Sequence, residues 1–98
     1  MRDAHELVGR DGETLLQEAI GRQVRKLRQG QNLTVMDLSR AASVSVAMIS
    51  KIENGQTAPS LGTLQRLAQA LGVQVSALFA QYEAHVSDDV KAEALRAG

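Results

Sequence analysis

Residues 33–55 of this chain read LTVMDLSRAASVSVAMISKIENG, and this stretch predicts two short helices joined by a tight turn. Thr34 is a favoured N-cap residue, and Asp37 three positions later can complete a capping box. Ser45 is a second N-cap candidate, from which the second helix would start. The apolar positions at helical spacing, which should face inward, are Leu38, Ala41 and Ala42 in the first helix and Ile49 and Ile52 in the second.

The turn and the outward face of the second helix also have characteristic residues. Val44 lies in the turn and is apolar, so it should occupy the angle between the helices. The side chains expected to face outward on the second helix are Ser45, Val46, Ala47, Ser50 and Lys51. Two short helices at a steep angle, joined by a turn of three or four residues, form the DNA-binding helix-turn-helix.

The same stretch resembles the helix-turn-helix of the Xre/Cro-like repressors, which include the lambdoid phage repressors. The resemblance rests on the pattern I-x-x-I-E-N-G at residues 49–55 together with PSLGTLQRLAQALGV at residues 59–73, and it covers roughly residues 20–79. It implies an all-α, five-helix, lambda-repressor-like DNA-binding domain. In that fold the third helix enters the major groove of DNA.

The resemblance also implies roles for individual residues. Base edges would be contacted by Ser45, Val46, Ala47, Ser50 and Lys51, with lysine suited to guanine and the apolar side chains to thymine methyl groups. Backbone phosphates would be held by Thr34, Val35, Arg40, Asn54, Gln56 and Ser60, helped by backbone amides of the loop after the third helix. Arg28 and Glu53 would form an ion pair between the first and third helices.

Two positions depart from the family pattern. The family usually has a glutamine after the cap of the second helix, where it helps to hold a phosphate, and this chain has Val35. That substitution puts one phosphate contact in doubt. The turn usually contains glycine, and this chain has Ser43, so we expect some backbone strain there.

The charge of the chain is zero in sum but unevenly distributed. Residues 22–55 contain six basic and two acidic side chains, whereas residues 1–21 and 83–98 are net acidic. A local basic patch matters more for DNA binding than the global sum. We nevertheless expect about half of these charges only to solvate the surface, since charged residues mostly lie there regardless of function.

The remaining sequence divides the chain into three parts. Residues 1–13 should be a flexible extension, residues 14–80 the DNA-binding domain, and residues 81–98 a tail. Helix one should run from about 15 to 30, with Thr14 and Gln17 as a capping box and Asn32 as a left-handed cap. Helix four should start after Ser60, end at Gly72 and bury Leu61, Leu64, Leu67, Ala68 and Leu71; a short fifth helix should contain Val75, Leu78 and Phe79.

The tail has two interpretations. Val86, Val90 and Ala94 recur every fourth residue, which suits either a dimer-forming stripe or the start of a linker. We expect a homodimer on a palindromic operator, with its interface around Val75, Leu78, Val86 and Val90. The family often has a sensor domain after this point, so the chain is either a stand-alone small regulator or a fragment of a longer protein.

Little in the sequence suggests catalysis, a metal or a cofactor. The chain has no cysteine, no signal-peptide pattern and no apolar run near the ~20 residues of a membrane span, which favours the cytoplasm. His85 with Asp88 and Asp89 has no further ligand nearby, and His5 is distant. We therefore expect a non-enzymatic transcriptional regulator, a repressor, that binds specific double-stranded DNA. The alternative is a helix-turn-helix module that acts through protein partners, as an antitoxin or co-activator subunit, which an acidic outward face on helix three would favour.

Overall fold

The computed structural model describes residues 12–82, which form four α-helices and a short 3-10 helix without any strand. The helices are α1 (Gly12–Gly30), α2 (Val35–Ala42), α3 (Val46–Glu53), α4 (Leu61–Leu71) and η1 (Val75–Phe79), and residues 80–82 are again α-helical. The predicted all-α class is confirmed. No helix within residues 12–82 combines the length and the apolar character that crossing a bilayer requires.

Every helix contributes to one apolar core. α1 packs mainly against α3 and η1, while α2 packs against α4 and α3. The largest fully buried side chains are Val24 of α1, Leu38 of α2, Ile49 and Ile52 of α3, Leu67 of α4 and Leu78 of η1. Because α3 contributes two of these six, the helix with the candidate DNA-binding face is fixed to the centre of the domain.

Glutamine side chains connect α1 to the carbonyl groups of other segments. Gln17 Nε2 donates to the backbone oxygen of Gly55 at 3.1 Å, and Gln23 Nε2 donates to that of Ala77 at 3.0 Å. Gln31, just beyond α1, donates to the backbone oxygen of Leu71 at the end of α4 at 2.7 Å. These bonds join α1 and the residue after it to the loop after α3, to η1 and to the end of α4.

The start of α1 differs from its prediction. The helix begins at Gly12 rather than near residue 15, so Gly12 and Glu13 belong to the helix and not to the N-terminal extension. The predicted capping box of Thr14 and Gln17 is wrong: Thr14 lies inside the helix, and the Gln17 side chain bonds to Gly55 instead. Predictions for residues 1–11 and 83–98, including His5, His85, Val86 and Val90, lie outside the described residues.

Two predictions of burial and one prediction of an interface residue also need correction. Leu61 is 85% exposed, because it is the first residue of α4 and the Cα–Cβ bond of a helical residue is tilted towards the N-terminal end, here into solvent. Ala41 is exposed because the buried side of α2 runs through Leu38 and Ala42, and Ala41 lies about 100° from Ala42 around the helix. Leu78 is fully buried, so it is a core residue and not part of a dimer interface, whereas Val75 is 39% exposed.

Candidate nucleic-acid interface

The first turn of α2 is fixed by the predicted capping box. Thr34 Oγ1 accepts a hydrogen bond from the Asp37 backbone N–H at 2.9 Å, and Asp37 Oδ2 accepts one from the Thr34 N–H at 2.9 Å. The bond from the Thr34 backbone holds the pKa of Asp37 below its usual value, with a smaller contribution from the Thr34 side chain. Two reciprocal hydrogen bonds therefore hold the start of α2, where a phosphate contact was predicted.

The turn between α2 and α3 contains the unusual serine. Ser43 has φ 57 and ψ 43, the left-handed conformation that glycine adopts more easily, as the sequence predicted. The turn is held by Ser39, whose hydroxyl donates to the Val44 backbone oxygen at 2.6 Å and whose backbone oxygen accepts from the Val44 N–H at 3.2 Å. Val44 is buried, as expected for a residue that fills the angle between the helices.

α3 separates an inward from an outward face. Ser45 Oγ accepts from the Met48 backbone N–H at 3.1 Å, which confirms the predicted N-cap. On the inward face, Ile49 and Ile52 have no exposed surface. The residues predicted to contact bases lie together on the outward side, with Ser45, Val46, Ala47 and Lys51 exposed and Ser50 half-buried at the edge.

One residue of the outward face was missed. Met48 is 39% exposed, and it lies three residues before Lys51 and three after Ser45, on the same side of α3. The sequence analysis did not consider Met48, although its spacing to Ser45 could have indicated this position. Together with Val46, which is 43% exposed, it gives the first turns of α3 an exposed apolar surface.

The C-terminal end of α3 is tied to α1 through Glu53. Arg28 Nε donates to Glu53 Oε2 at 2.7 Å and Arg28 Nη2 donates to Oε1 at 2.9 Å, so the pair implied by the family resemblance is present as a two-bond fork. Arg28 Nη1 also donates to the Leu33 backbone oxygen at 2.8 Å. The hydrogen bonds to Glu53 raise the pKa of Arg28 further above its ordinary value.

A second arginine shares the same carboxylate, and the sequence analysis missed it. Arg25 Nε lies 3.4 Å from Glu53 Oε1, and Arg25 Nη2 donates to Asn54 Oδ1 at 2.8 Å. Arg25 precedes Arg28 by three residues, which places both on one side of α1 and could have indicated the arrangement. The Arg25 side chain is 44% exposed, against 12% for Arg28.

The loop after α3 offers fewer donors than predicted. The backbone N–H groups of Asn54, Gly55 and Gln56 donate to carbonyl oxygens of Ser50, Ile52 and Lys51, respectively, so these three amides cap α3 and are not free for a phosphate. The Ser60 hydroxyl accepts from the Thr63 N–H at 3.1 Å and donates to Thr63 Oγ1 at 3.0 Å. The side chains of Asn54 and Gln56 remain exposed.

The other residues predicted to hold phosphates differ in accessibility. The Val35 side chain packs against the core, so only its backbone could take part. Arg40 is exposed, and its Nη2 lies 3.5 Å from Met36 Sδ.

The described part of the chain, residues 12–82, contains seven basic and four acidic side chains. Within that range no group of three or more His, Asp or Glu could hold a metal ion.

Comparisons with known proteins find the same motif. A helix-turn-helix family model matches residues 24–78. The HTH-type transcriptional regulator DdrOP3 of Deinococcus deserti is 46% identical over 52 residues, which are 53% of this chain and 40% of that protein. The HTH-type transcriptional repressor RghR of Bacillus subtilis is 39% identical over 74 residues, or 74% of this chain and 53% of that protein.

The fold has solved counterparts. The crystal structure of the clp gene regulator ClgR from Corynebacterium glutamicum matches with a TM-score of 0.68 and 27% identity, over 83% of this chain and 86% of that one. The chain spans about half, or less, of the length of the curated relatives named above. Since the family model covers more than half of the chain and the matched residues contain the capped helices and the turn, the chain belongs to the Xre/Cro-like helix-turn-helix family.

Proposed function

We propose that this chain is a transcriptional repressor that binds specific double-stranded DNA and inserts α3 into the major groove. The observation that carries the proposal is the two-faced character of α3: Ile49 and Ile52 fix it in the core, while its opposite side is exposed and has no acidic residue. The one carboxylate of α3, that of Glu53, is 2% exposed and faces inward. The relatives named above as a regulator and a repressor support the same assignment.

The size and chemistry of α3 suit the groove. An α-helix with its side chains is about 10–12 Å in diameter, which fits the roughly 12 Å width of the major groove. In this arrangement Lys51 donates to guanine O6 and N7, while Val46, Ala47 and Met48 contact thymine methyl groups. Ser45 and Ser50 are shorter and form hydrogen bonds to a base edge or to a neighbouring phosphate.

Phosphate contacts flank α3 on two sides. On one side lie Arg40 and the first turn of α2, whose early backbone N–H groups favour an anion. On the other side lie Asn54 and Gln56, at the point where the chain leaves α3. Such contacts fix the orientation of the protein on the duplex but contribute little sequence preference.

The test is a binding titration against two duplexes. A preferred site is first selected from a pool of random duplexes, and each variant is then titrated against that site and a scrambled duplex. Lys51→Ala should cost on the order of 1–3 kcal/mol at the selected site and change binding to the scrambled duplex much less. Lys26→Ala, which removes the same charge from an exposed position of α1, is the matched control and should act equally on both duplexes.

Two outcomes would contradict the proposal at different levels. Equal losses on both duplexes for Lys51→Ala would make Lys51 a phosphate contact and not a base contact. If the wild type selects no sequence from the pool, the chain acts through a protein partner instead, as an antitoxin or co-activator subunit would. Repression itself is tested by placing the selected site in a promoter and measuring transcription with and without the protein.

We also propose that two copies of the chain bind one inverted repeat. A single domain of this size buries too little surface for tight specific binding, and paired domains contact half-sites about one helical turn, roughly 34 Å, apart. Among the predicted interface residues within 12–82, Val75 remains available at the surface. Sedimentation should find a dimer on a duplex containing the selected site; a monomer both free and on DNA would exclude it.

A further inference from the structure

Three charged groups meet at the Glu53 carboxylate, where α1 crosses α3, and their charges do not balance. Glu53 supplies one negative charge, and Arg25 and Arg28 supply two positive charges within 3.4 Å of its carboxylate. Arg28 is committed to this position, since it donates two bonds to Glu53 and a third to the Leu33 oxygen. The excess positive charge therefore belongs to Arg25, the more exposed of the two arginines.

Arg25 also determines how the Asn54 carboxamide is turned. Its Nη2 donates to Asn54 Oδ1 at 2.8 Å, so the carboxamide oxygen faces Arg25 and the amide nitrogen faces away. Asn54 is exposed, and within residues 12–82 its Nδ2 has no acceptor. An outward amide with two N–H groups thus lies beside an uncompensated guanidinium, directly after the last residue of α3.

This end of α3 needs such a charge before it can hold an anion. The C-terminus of a helix has a partial negative charge, which disfavours a phosphate. The nearby amides of Gly55 and Gln56 cannot compensate, because they already donate to α3 carbonyls. Only side chains can supply the donors here, and Arg25 and Asn54 are the pair that meets at this point.

We propose that Arg25 is a positioning residue for DNA, which holds the Asn54 amide towards a backbone phosphate and supplies the positive charge that the phosphate requires. The inference rests on the proposed DNA-binding function and deepens it. The ligand is one phosphodiester of the duplex, on the strand that α3 passes as the chain leaves the groove. Arg25 is not needed to hold the fold at this junction, because Arg28 alone forms the two-bond fork with Glu53.

The experiment is a double-mutant cycle between Arg25 and Asn54, measured by binding to a specific and a scrambled duplex at several salt concentrations. Arg25→Ala should weaken both duplexes by roughly tenfold, as expected for loss of a charge-assisted contact. It should also reduce the slope of log K against log salt by about 0.9, the value for one neutralised phosphate. In the Asn54→Ala background the loss from Arg25→Ala should be at least roughly twofold smaller, because no carboxamide is left to orient.

Two further variants separate charge from orientation. Arg25→Lys keeps the charge but lacks the fork that reaches both Glu53 and Asn54, so it should keep the salt slope and recover only part of the affinity. Arg22→Ala is the matched control: Arg22 lies one turn earlier on α1, carries the same charge and is directed at Glu18 and Gln81. We expect it to leave the affinity within about twofold of the wild type, as for a screened surface charge.

The outcomes distinguish this inference from the proposed function. If the wild type binds no duplex, the proposed function fails and the inference fails with it. If the wild type binds and Arg25→Ala behaves like Arg22→Ala, only the inference is overturned. Strict additivity in the cycle would show that Arg25 and Asn54 act independently and overturn the positioning role. Urea unfolding of each variant completes the test. If the loss of DNA affinity in each variant is proportional to its loss of stability, Arg25 has a structural role instead.

Discussion

Gly21 lies where α1 crosses the C-terminal end of α3, and replacing it with alanine tests that crossing. A Cβ atom at this position would overlap the backbone oxygen of Ile52 and lie 3.1 Å from the backbone oxygen of Glu53. Neither oxygen belongs to a side chain that could rotate away. The helices would have to separate, and with them the contacts that orient α3.

Two opposing effects determine the size of the change. Alanine is favoured over glycine inside a helix by about 1 kcal/mol, which would stabilise the variant. Overpacking in a close-packed interior costs about 1–3 kcal/mol, and more when the backbone itself must move. Because the obstacle is backbone, we take the upper part of that range and expect Gly21→Ala to lower the free energy of unfolding by about 2 kcal/mol.

Urea unfolding, followed by far-ultraviolet circular dichroism, measures this change. Gly30→Ala is the control on the same helix, since nothing lies within 4 Å of a Cβ at Gly30. That variant should raise the free energy of unfolding by a few tenths to about 1 kcal/mol. If Gly21→Ala instead raises the free energy of unfolding as much as Gly30→Ala does, then α1 and α3 do not approach each other this closely.

Three further predictions concern the helix-turn-helix and its supports. Arg28→Ala and Glu53→Ala should each lower the free energy of unfolding by about 3 kcal/mol, as for a broken buried pair, and the double variant by less than the sum; additive losses in a urea-unfolding cycle would refute the coupling. Ser43→Gly should raise the unfolding midpoint, because it removes about 1 kcal/mol of strain from a left-handed residue, and a lower midpoint would show that Ser43 is unstrained. Asp37→Asn should make the free energy of unfolding less dependent on pH in the acid range. The pKa of Asp37 is lower in the folded than in the unfolded state. The carboxylate therefore stabilises the fold above the unfolded pKa of about 3.9, and this contribution is lost as pH falls through the lower folded pKa. Unfolding measured between pH 7 and pH 2.5 tests this, and parallel curves for variant and wild type would contradict it.

Local signals in the sequence were sufficient for the helix-turn-helix. Caps depend on one side chain and a backbone amide three residues away, so Thr34, Ser45 and Ser60 could be identified from sequence alone. The left-handed positions at Asn32 and Ser43 were likewise predictable, because a helix end followed by a turn requires one. These features need no knowledge of the rest of the fold.

Features that depend on a distant partner were harder to predict. Thr14 and Gln17 have the spacing of a capping box, but Gln17 finds the Gly55 carbonyl 38 residues away and the helix continues past Thr14 to Gly12. Periodicity placed Leu61 with Leu64 on one side of α4, yet it could not show that the core ends between them. Such errors arise because tertiary contacts override local patterns.

The distribution of charge shows why a summed charge was a poor guide to this surface. The basic excess of residues 22–55 had suggested a patch for DNA, but Arg28 is largely buried and neutralises Glu53. The basic side chains of this stretch that remain exposed are Arg22, Lys26 and part of Arg25 on α1, Arg40 on α2 and Lys51 on α3. Lys51 lies on α3 itself, Arg40 on the preceding helix, and Arg25 beside Glu53 and Asn54 at the C-terminal end of α3. A duplex can therefore meet positive charge on several sides of that helix even though the whole chain is neutral.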